Sequence, residues 1–527
     1  MKRAIVACGL CALAFLGDGL LSAEQRPAVG APPAGAFVLE EATISSIHEA
    51  FASKHLTCVQ LVQSYLSRIE TYDDKGPALN AVLTVNPRAL EIAAEMDHLG
   101  VGGNRALRPL HCIPVVVKDN YNTVDMPTTG GSVTLARSFP LDDAFVVKRL
   151  RQAGALILAK SNLTELARGG TTVSSLGGQT KNPYDLTRTP GGSSGGTGAA
   201  IAANFAVLGT GSDTGQSIRS PASAQSLVGL RPTRGLVSRD GIIPFSTTQD
   251  EAGPITRTVE DAARMLDVIA GYDAADPVTA FGVHKVPPSY TAFLDRNGLR
   301  GVRIGALMDF FGKDAVHAEV NSVVETAIEK LAAAGATIAR VNIAHIDALT
   351  RDLDLGAFEF RAAFNKYLAR LGPGAPVKTL DEFLARGEFH QSLKSGLEAA
   401  QRAVEGVNDP EYKTRLLRRN ELRQAVMSAM AENRLDAILY PHQRRLVASI
   451  GEEQLERNGV LSNGTGFPAL TVPGGFSAPT RSAPIGVPIG IELLGPEWSE
   501  PVLFKLAHAL EKTAQIRKQP ASTRSKN

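Results

Sequence analysis

From Val101 to Gly271 the chain alternates short apolar runs with amphipathic stretches and Gly-rich turns. Runs such as Ile113 to Val117 and Ala155 to Ala159 offer no polar face to solvent, so they read as buried strands. Between them, Val146, Val147, Leu150 and Ala153 share one helical face, with Asp142 or Asp143 placed to cap that helix and Gly154 to close it. The unit recurs at Val302 to Ile343: a strand, a helix through Val323 and Leu331, Gly335, then a second strand. This pattern predicts an α/β fold, a largely buried sheet wrapped by helices. Leu39 to Glu70 has helical spacing, with Leu56, Val59, Leu61, Val62 and Leu66 apolar. Residues 347–435 read as a mostly helical, charged insert around the sheet, after which Asp436 to Tyr440 and Ala469 to Val472 resume short strands. The 50 glycines suit a fold with many tight turns and close backbone approaches.

Residues 1–23 stand apart from this pattern. Lys2 and Arg3 form a basic start, Ala4 to Leu16 is apolar, and Gly17 to Ala23 resembles a cleavage region. The apolar run of about 13 residues falls short of the ~20 that span a bilayer. The expectation is a periplasmic or secreted protein, cut after Ala23 and without a stable membrane span. Residues 24–38 read as a flexible lead-in and 516–527 as a polar tail. Without Lys2, Arg3 and Asp18, the 55 basic and 53 acidic residues fall to 53 and 52. No block of one sign stands out, which argues against nucleic acid or an anionic membrane as partner. Cys8 and Cys11 leave with the signal. The remaining Cys58 and Cys112 make neither a disulfide framework nor a zinc site, and are expected as free thiols packed like small hydrophobes. No phosphate loop or H-E-x-x-H metal motif occurs, so no metal or cofactor is expected.

Three segments carry chemistry. Gly192-Ser193-Ser194-Gly195-Gly196 formally matches G-x-S-x-G, the nucleophile elbow of α/β-hydrolases. An elbow follows a buried strand, but Tyr184 to Pro190 is a polar loop and the apolar Ala206-Val207-Leu208 comes after the motif. Downstream, Gly209-Thr210-Gly211-Ser212-Asp213-Thr214-Gly215-Gln216-Ser217-Ile218-Arg219 runs from a strand into a Gly-containing turn. Successive N–H groups in such a turn can converge on an anion, as an oxyanion requires, and an Asp213–Arg219 ion pair would brace it. Upstream, Lys118 follows Ile113-Pro114-Val115-Val116-Val117. A lysine emerging from a buried strand is a candidate for a lowered pKa, and a neutral amine is a base.

The segments Ile113-Pro114-Val115-Val116-Val117-Lys118-Asp119, Pro190-Gly191-Gly192-Ser193-Ser194-Gly195-Gly196 and Ser212-Asp213-Thr214-Gly215-Gln216-Ser217-Ile218-Arg219, in this order and spacing, resemble the amidase-signature family. Ala159 to Glu165, Gly178 to Pro183, Gly466 to Ala469 and Pro488 to Ile491 extend the resemblance over roughly residues 40 to 515. It implies one large α/β domain over residues 39–515, a mixed central β-sheet covered by helices on both faces. It also implies hydrolysis of a carboxamide to acid and amine through an acyl-enzyme. Carried onto this chain, Ser217 is the nucleophile, Ser193 (after a cis peptide bond) bridges to Lys118, and neutral Lys118 is the base. Backbone N–H groups of Thr214, Gly215 and Gln216 would hold the oxyanion, with Ser194, Asp213 and Arg219 in support.

Gln216 stands where many family members have Gly. Only its N–H is needed, so activity is expected to survive, with the side chain narrowing the pocket or offering an amide to substrate. The expected substrate is a small or peptide amide, in a pocket closed by residues 275–440 and the Pro441-His442 region, where His442 reads as structural. The same residues could cleave esters or carbamates. A periplasmic binding protein on this scaffold would have no use for an intact Lys118, Ser193 and Ser217. Supplying ammonia for glutaminyl-tRNA formation fits poorly with an export signal.

Overall fold

In the computed structural model, which describes residues 37–100 and 107–525, the apolar runs become strands. The expected export signal, most of the expected lead-in and the last two residues lie outside the described residues. In chain order the strands are β1 (Val82–Val85), β2 (Pro114–Lys118), β3 (Leu156–Ser161), β4 (Val173–Ser174), β5 (Gly178–Gln179), β6 (Leu208–Asp213), β7 (Val228–Arg231), β8 (Glu251–Thr256), β9 (Arg303–Leu307), β10 (Thr337–Val341), β11 (Ala437–Pro441), β12 (Ala469–Phe476) and β13 (Pro488–Leu494). β4 and β5 pair only with each other. The other 11 form one sheet, ordered β1-β3-β2-β6-β8-β7-β12-β13-β11-β9-β10.

The sheet is mixed. β2 runs parallel to β3 and β6, and β9 to β10 and β11, while β6, β8, β7, β12 and β13 pair antiparallel. β2, β3, β6, β7, β8, β11 and β13 are buried along their whole length, so helices must cover both faces. This is one large α/β domain with its core on both sides of the sheet. The helix Gly195–Ala202 is buried at every position. A Cβ on Gly196 would lie 2.2 Å from the carbonyl oxygen of Asn162. Only glycine allows that approach, which seats the first turn of the helix against the residue that follows β3.

Local chemistry explains where the elements differ from expectation. The stretch from Leu39 is two helices, Ile44–Ala52 and Cys58–Ile69, each opened by a threonine. Thr43 accepts from the N–H of Ser46 and Thr57 from that of Gln60, so each starts a new helix inside one apolar stripe. Helix Phe145–Gln152 starts after Ala144 with no side-chain cap. Asp143 instead accepts from the Val124 N–H at 2.9 Å and pairs with Arg151 at 3.1 Å. Gly154 and Gly335 do follow their helices with positive φ, +94° and +107°. Between β10 and β11 the chain is helical, the longest helix being Pro410–Glu432. Arg517, within the expected polar tail, pairs with Glu41 at 2.7 Å.

Cys58 and Cys112 are not free thiols. They form a disulfide with Cα atoms 5.8 Å apart, linking the start of helix Cys58–Ile69 to the turn before β2. The partners are 54 residues apart in sequence and meet only through the fold, so spacing alone could not pair them. Among the described residues, no helix is long and apolar enough to cross a membrane.

Candidate active site

The site lies at the C-terminal ends of β2 and β6. Lys118 is the last residue of β2 and has no exposed surface. Its Nζ donates to Ser193 Oγ at 2.8 Å, to Ser212 Oγ at 2.9 Å and to the Ser212 carbonyl at 3.2 Å. Burial drives its pKa down to about 7, against the opposing pull of the Asp213 and Asp250 carboxylates. Ser212 Oγ also accepts from Asn120 Nδ2 at 2.9 Å. All the acceptors around the amine are neutral. A neutral amine is thus tolerated here, which a carboxylate in contact would have prevented.

Ser193 precedes helix Gly195–Ala202, and the Gly192–Ser193 peptide bond is cis. Ser217 sits in the turn between β6 and helix Arg219–Ala224, and its carbonyl accepts from the Ser194 N–H at 3.2 Å. The loop bearing Ser193 and the turn bearing Ser217 are thus held together through the main chain. The Ser217 hydroxyl itself makes no hydrogen bond among the described residues. Neither do the backbone N–H groups of Thr214, Gly215, Gln216 and Ser217, four consecutive free donors beside one hydroxyl. A run of free N–H groups in a turn is the kind of structure that can accept an anion.

A buried ionic network holds the turn in shape. Arg219 pairs with Asp213 at 3.1 Å and with Glu492 at 2.6 Å, and donates to the carbonyls of Gly215 at 2.6 Å and Gly459 at 3.1 Å. Arg231 meets the other Asp213 oxygen at 3.2 Å, and Asp213 accepts from the Ile218 N–H at 3.0 Å. Glu492, on β13, also accepts from the Tyr440 hydroxyl at 2.6 Å and meets His442 Nδ1 at 2.7 Å. Burial alone would raise the Asp213 carboxyl, but Arg219 and Arg231 hold it well below the usual range. Glu492 is likewise held low against its burial by Arg219 and His442. On the turn's outer side, the Thr214 hydroxyl donates to Asp250 at 2.5 Å.

The profile of the family described as Amidase matches residues 60–504. A probable amidase of Arabidopsis thaliana is 37% identical over 505 residues, covering 92% of this chain and 92% of its own. A glutamyl-tRNA(Gln) amidotransferase subunit from an Exiguobacterium strain is 35% identical, covering 89% of this chain and 96% of its own. The solved structure of native peptide amidase from Stenotrophomonas maltophilia superposes with a TM-score of 0.81 at 36% identity, over 91% of this chain and 98% of that one. The chain belongs to the amidase-signature family. It is a serine amidase that hydrolyses carboxamides.

In this amidase, Lys118 and Ser193 are brought into contact and Ser217 is set beside them. Ser194 is no elbow serine: its hydroxyl donates to the Ser212 carbonyl at 3.3 Å, and the neighbouring strand β6 follows the motif. Arg219 and Asp213 form the expected pair. His442 is buried against Glu492. Arg457 and Gly459 flank the Gln216 side chain. Ser212, Asn120, Tyr440 and Glu492 were not singled out from sequence. Ser212 lies within a quoted motif, but a small polar residue in a strand carries no signal of its own. Glu492 stands 273 residues from Arg219.

Proposed function

We propose that the chain is an exported amidase in which Ser217 attacks the amide carbonyl, and that its substrate is a small or peptide amide. The observation that carries the mechanism is a buried lysine with a pKa near 7, 2.8 Å from the Ser193 hydroxyl. As Ser217 Oγ bonds to the carbonyl carbon, its proton passes to Ser193 Oγ, whose own proton passes to the Lys118 amine. The carbonyl oxygen becomes an oxyanion on the free N–H groups of Thr214, Gly215 and Gln216. Lys118 then returns the proton through Ser193 to the departing nitrogen, the C–N bond breaks, and the acyl group stays on Ser217. Water repeats the cycle and releases the carboxylic acid. The relatives named peptide amidase and probable amidase support an amide as substrate. Export is supported by the basic-apolar start of the sequence and by a disulfide, a bond rare in reducing compartments.

Fluorophosphonate labelling of the purified protein tests this reading. Ser217 should be the labelled residue, and Ser217→Ala should abolish labelling. Ser193→Ala and Lys118→Ala should slow it by about 10²–10⁴-fold, the usual worth of positioned proton transfer. Labelling that persists in Ser217→Ala and vanishes in Ser194→Ala would overturn the assignment.

A further inference from the structure

The amidase chemistry makes no use of the guanidinium beside its nucleophile; we infer that Arg457 selects amides that carry a carboxylate close to the scissile bond. The inference rests on the amidase reading above and adds a substrate class to it.

Arg457 is exposed, yet it is tied to the residue that precedes Ser217. Orienting the Gln216 amide by its hydrogen-bond partners places its oxygen 2.9 Å from Arg457 Nη1 and 3.1 Å from Nε. Two glycines make room for this arrangement. A Cβ on Gly170 would lie 2.6 Å from Arg457 Nη1, and a Cβ on Gly459 would lie 2.6 Å from Gln216 Cβ. Gly170 also borders the Ser193 side of the site, since a Cβ on Gly192 would lie 2.8 Å from its carbonyl carbon. The guanidinium therefore sits between the Ser193 loop and the Ser217 turn.

Its charge is not consumed there. Among the described residues no carboxylate lies within ion-pair distance of Arg457, and the charge of Glu453 reaches it only from farther off. Gln216 takes one Nη1 hydrogen and the Nε hydrogen. Nη2 and the second Nη1 hydrogen remain, a pair of parallel donors that matches the two oxygens of a carboxylate. Gln216 is neutral, so it orients the arginine without cancelling it. A purely structural arginine would gain most from a carboxylate partner, and none is supplied. The carboxylate comes with the substrate, in either its acyl or its amine part.

Two matched pairs of serine-phosphonylating probes test this on the full-length protein. In one pair the alkyl chain of a fluorophosphonate ends in a carboxylate or in a carboxamide, standing for the acyl part. In the other the leaving group is 3-carboxyphenol or phenol, standing for the amine part. The rate of Ser217 modification is read by mass spectrometry. In at least one pair the carboxylate probe should react about 10–100-fold faster, the worth of a charge-assisted contact. Arg457→Ala should remove that preference, slowing the carboxylate probe far more than the neutral one, and Arg457→Lys should retain part of it. The pair that responds identifies the part of the substrate that bears the carboxylate. Equal rates within both pairs, a preference surviving in Arg457→Ala, or equal slowing of charged and neutral probes would each overturn the inference and leave the amidase reading intact. No modification of Ser217 by any probe would overturn both.

Discussion

In the proposed mechanism Lys118 sets the pH response of the enzyme. Burial lowers its pKa to about 7, and the mechanism needs the amine neutral at the start of each half-reaction. The fraction of competent enzyme therefore rises as pH climbs through 7 and levels off above it. kcat/KM for a neutral amide should follow a single ascending limb with its midpoint near that value. Lys118→Arg keeps the charge but not the ability to lose it, so it should be inactive across the profile and show no limb. A profile flat from pH 5 to 9 would remove Lys118 from the proton path. This residue was legible in the sequence because a lysine ending a run of apolar residues has few solvated options. Ser212 and Asn120, which complete its surroundings, were not. Their roles come from β6 lying beside β2, and no pattern in either strand announces the neighbour.

At the scale of elements, the turn between β6 and helix Arg219–Ala224 is shaped from behind by β13 and β11. Glu492 and Tyr440 come from those strands, and through Arg219 they hold the Gly215 carbonyl, which orients the peptide units of the free N–H run. Glu492→Gln removes one charge from a fully buried cluster while keeping its shape. Breaking a buried pair in this way costs about 3–5 kcal/mol when the partner is left uncompensated. Asp213 still compensates Arg219, so the loss should fall below that range and the protein should fold with a lowered Tm. The turn should loosen, and Ser217 labelling should slow with neutral and charged probes alike. That common slowing separates Glu492, a positioning residue, from Arg457. A variant with an unchanged labelling rate would show that the turn holds its shape without β13. The Asp213–Arg219 half of the cluster could be read from a spacing of six residues. The Glu492 half depends on β13 crossing behind the turn, and only the folded sheet order reveals it.

For the whole molecule, the α/β class and most of the sheet followed from the apolar runs, because strands buried on both faces leave a plain mark. The order of strands did not, since β12 and β13 insert between β7 and β11 from far along the chain. The disulfide escaped for the same reason: Cys58 opens a helix near the start of the fold and Cys112 precedes β2, and only tertiary packing brings them together. The bond then bears on where the protein works. Of the 4 cysteines, Cys8 and Cys11 lie in the expected signal and Cys58 and Cys112 are paired. An exported, processed protein should therefore contain no free thiol at all. When it is produced with its own leader and denatured without reductant, alkylation should add no mass, and the intact mass should correspond to a chain beginning at Glu24. After reduction, alkylation should mark two sites. The reduced protein should also be less stable, by about 2–4 kcal/mol for a cross-link of this kind. Four reactive thiols before reduction, on a chain that still carries Lys2, Arg3, Cys8 and Cys11, would place the enzyme in a reducing compartment and overturn export while leaving its chemistry untouched.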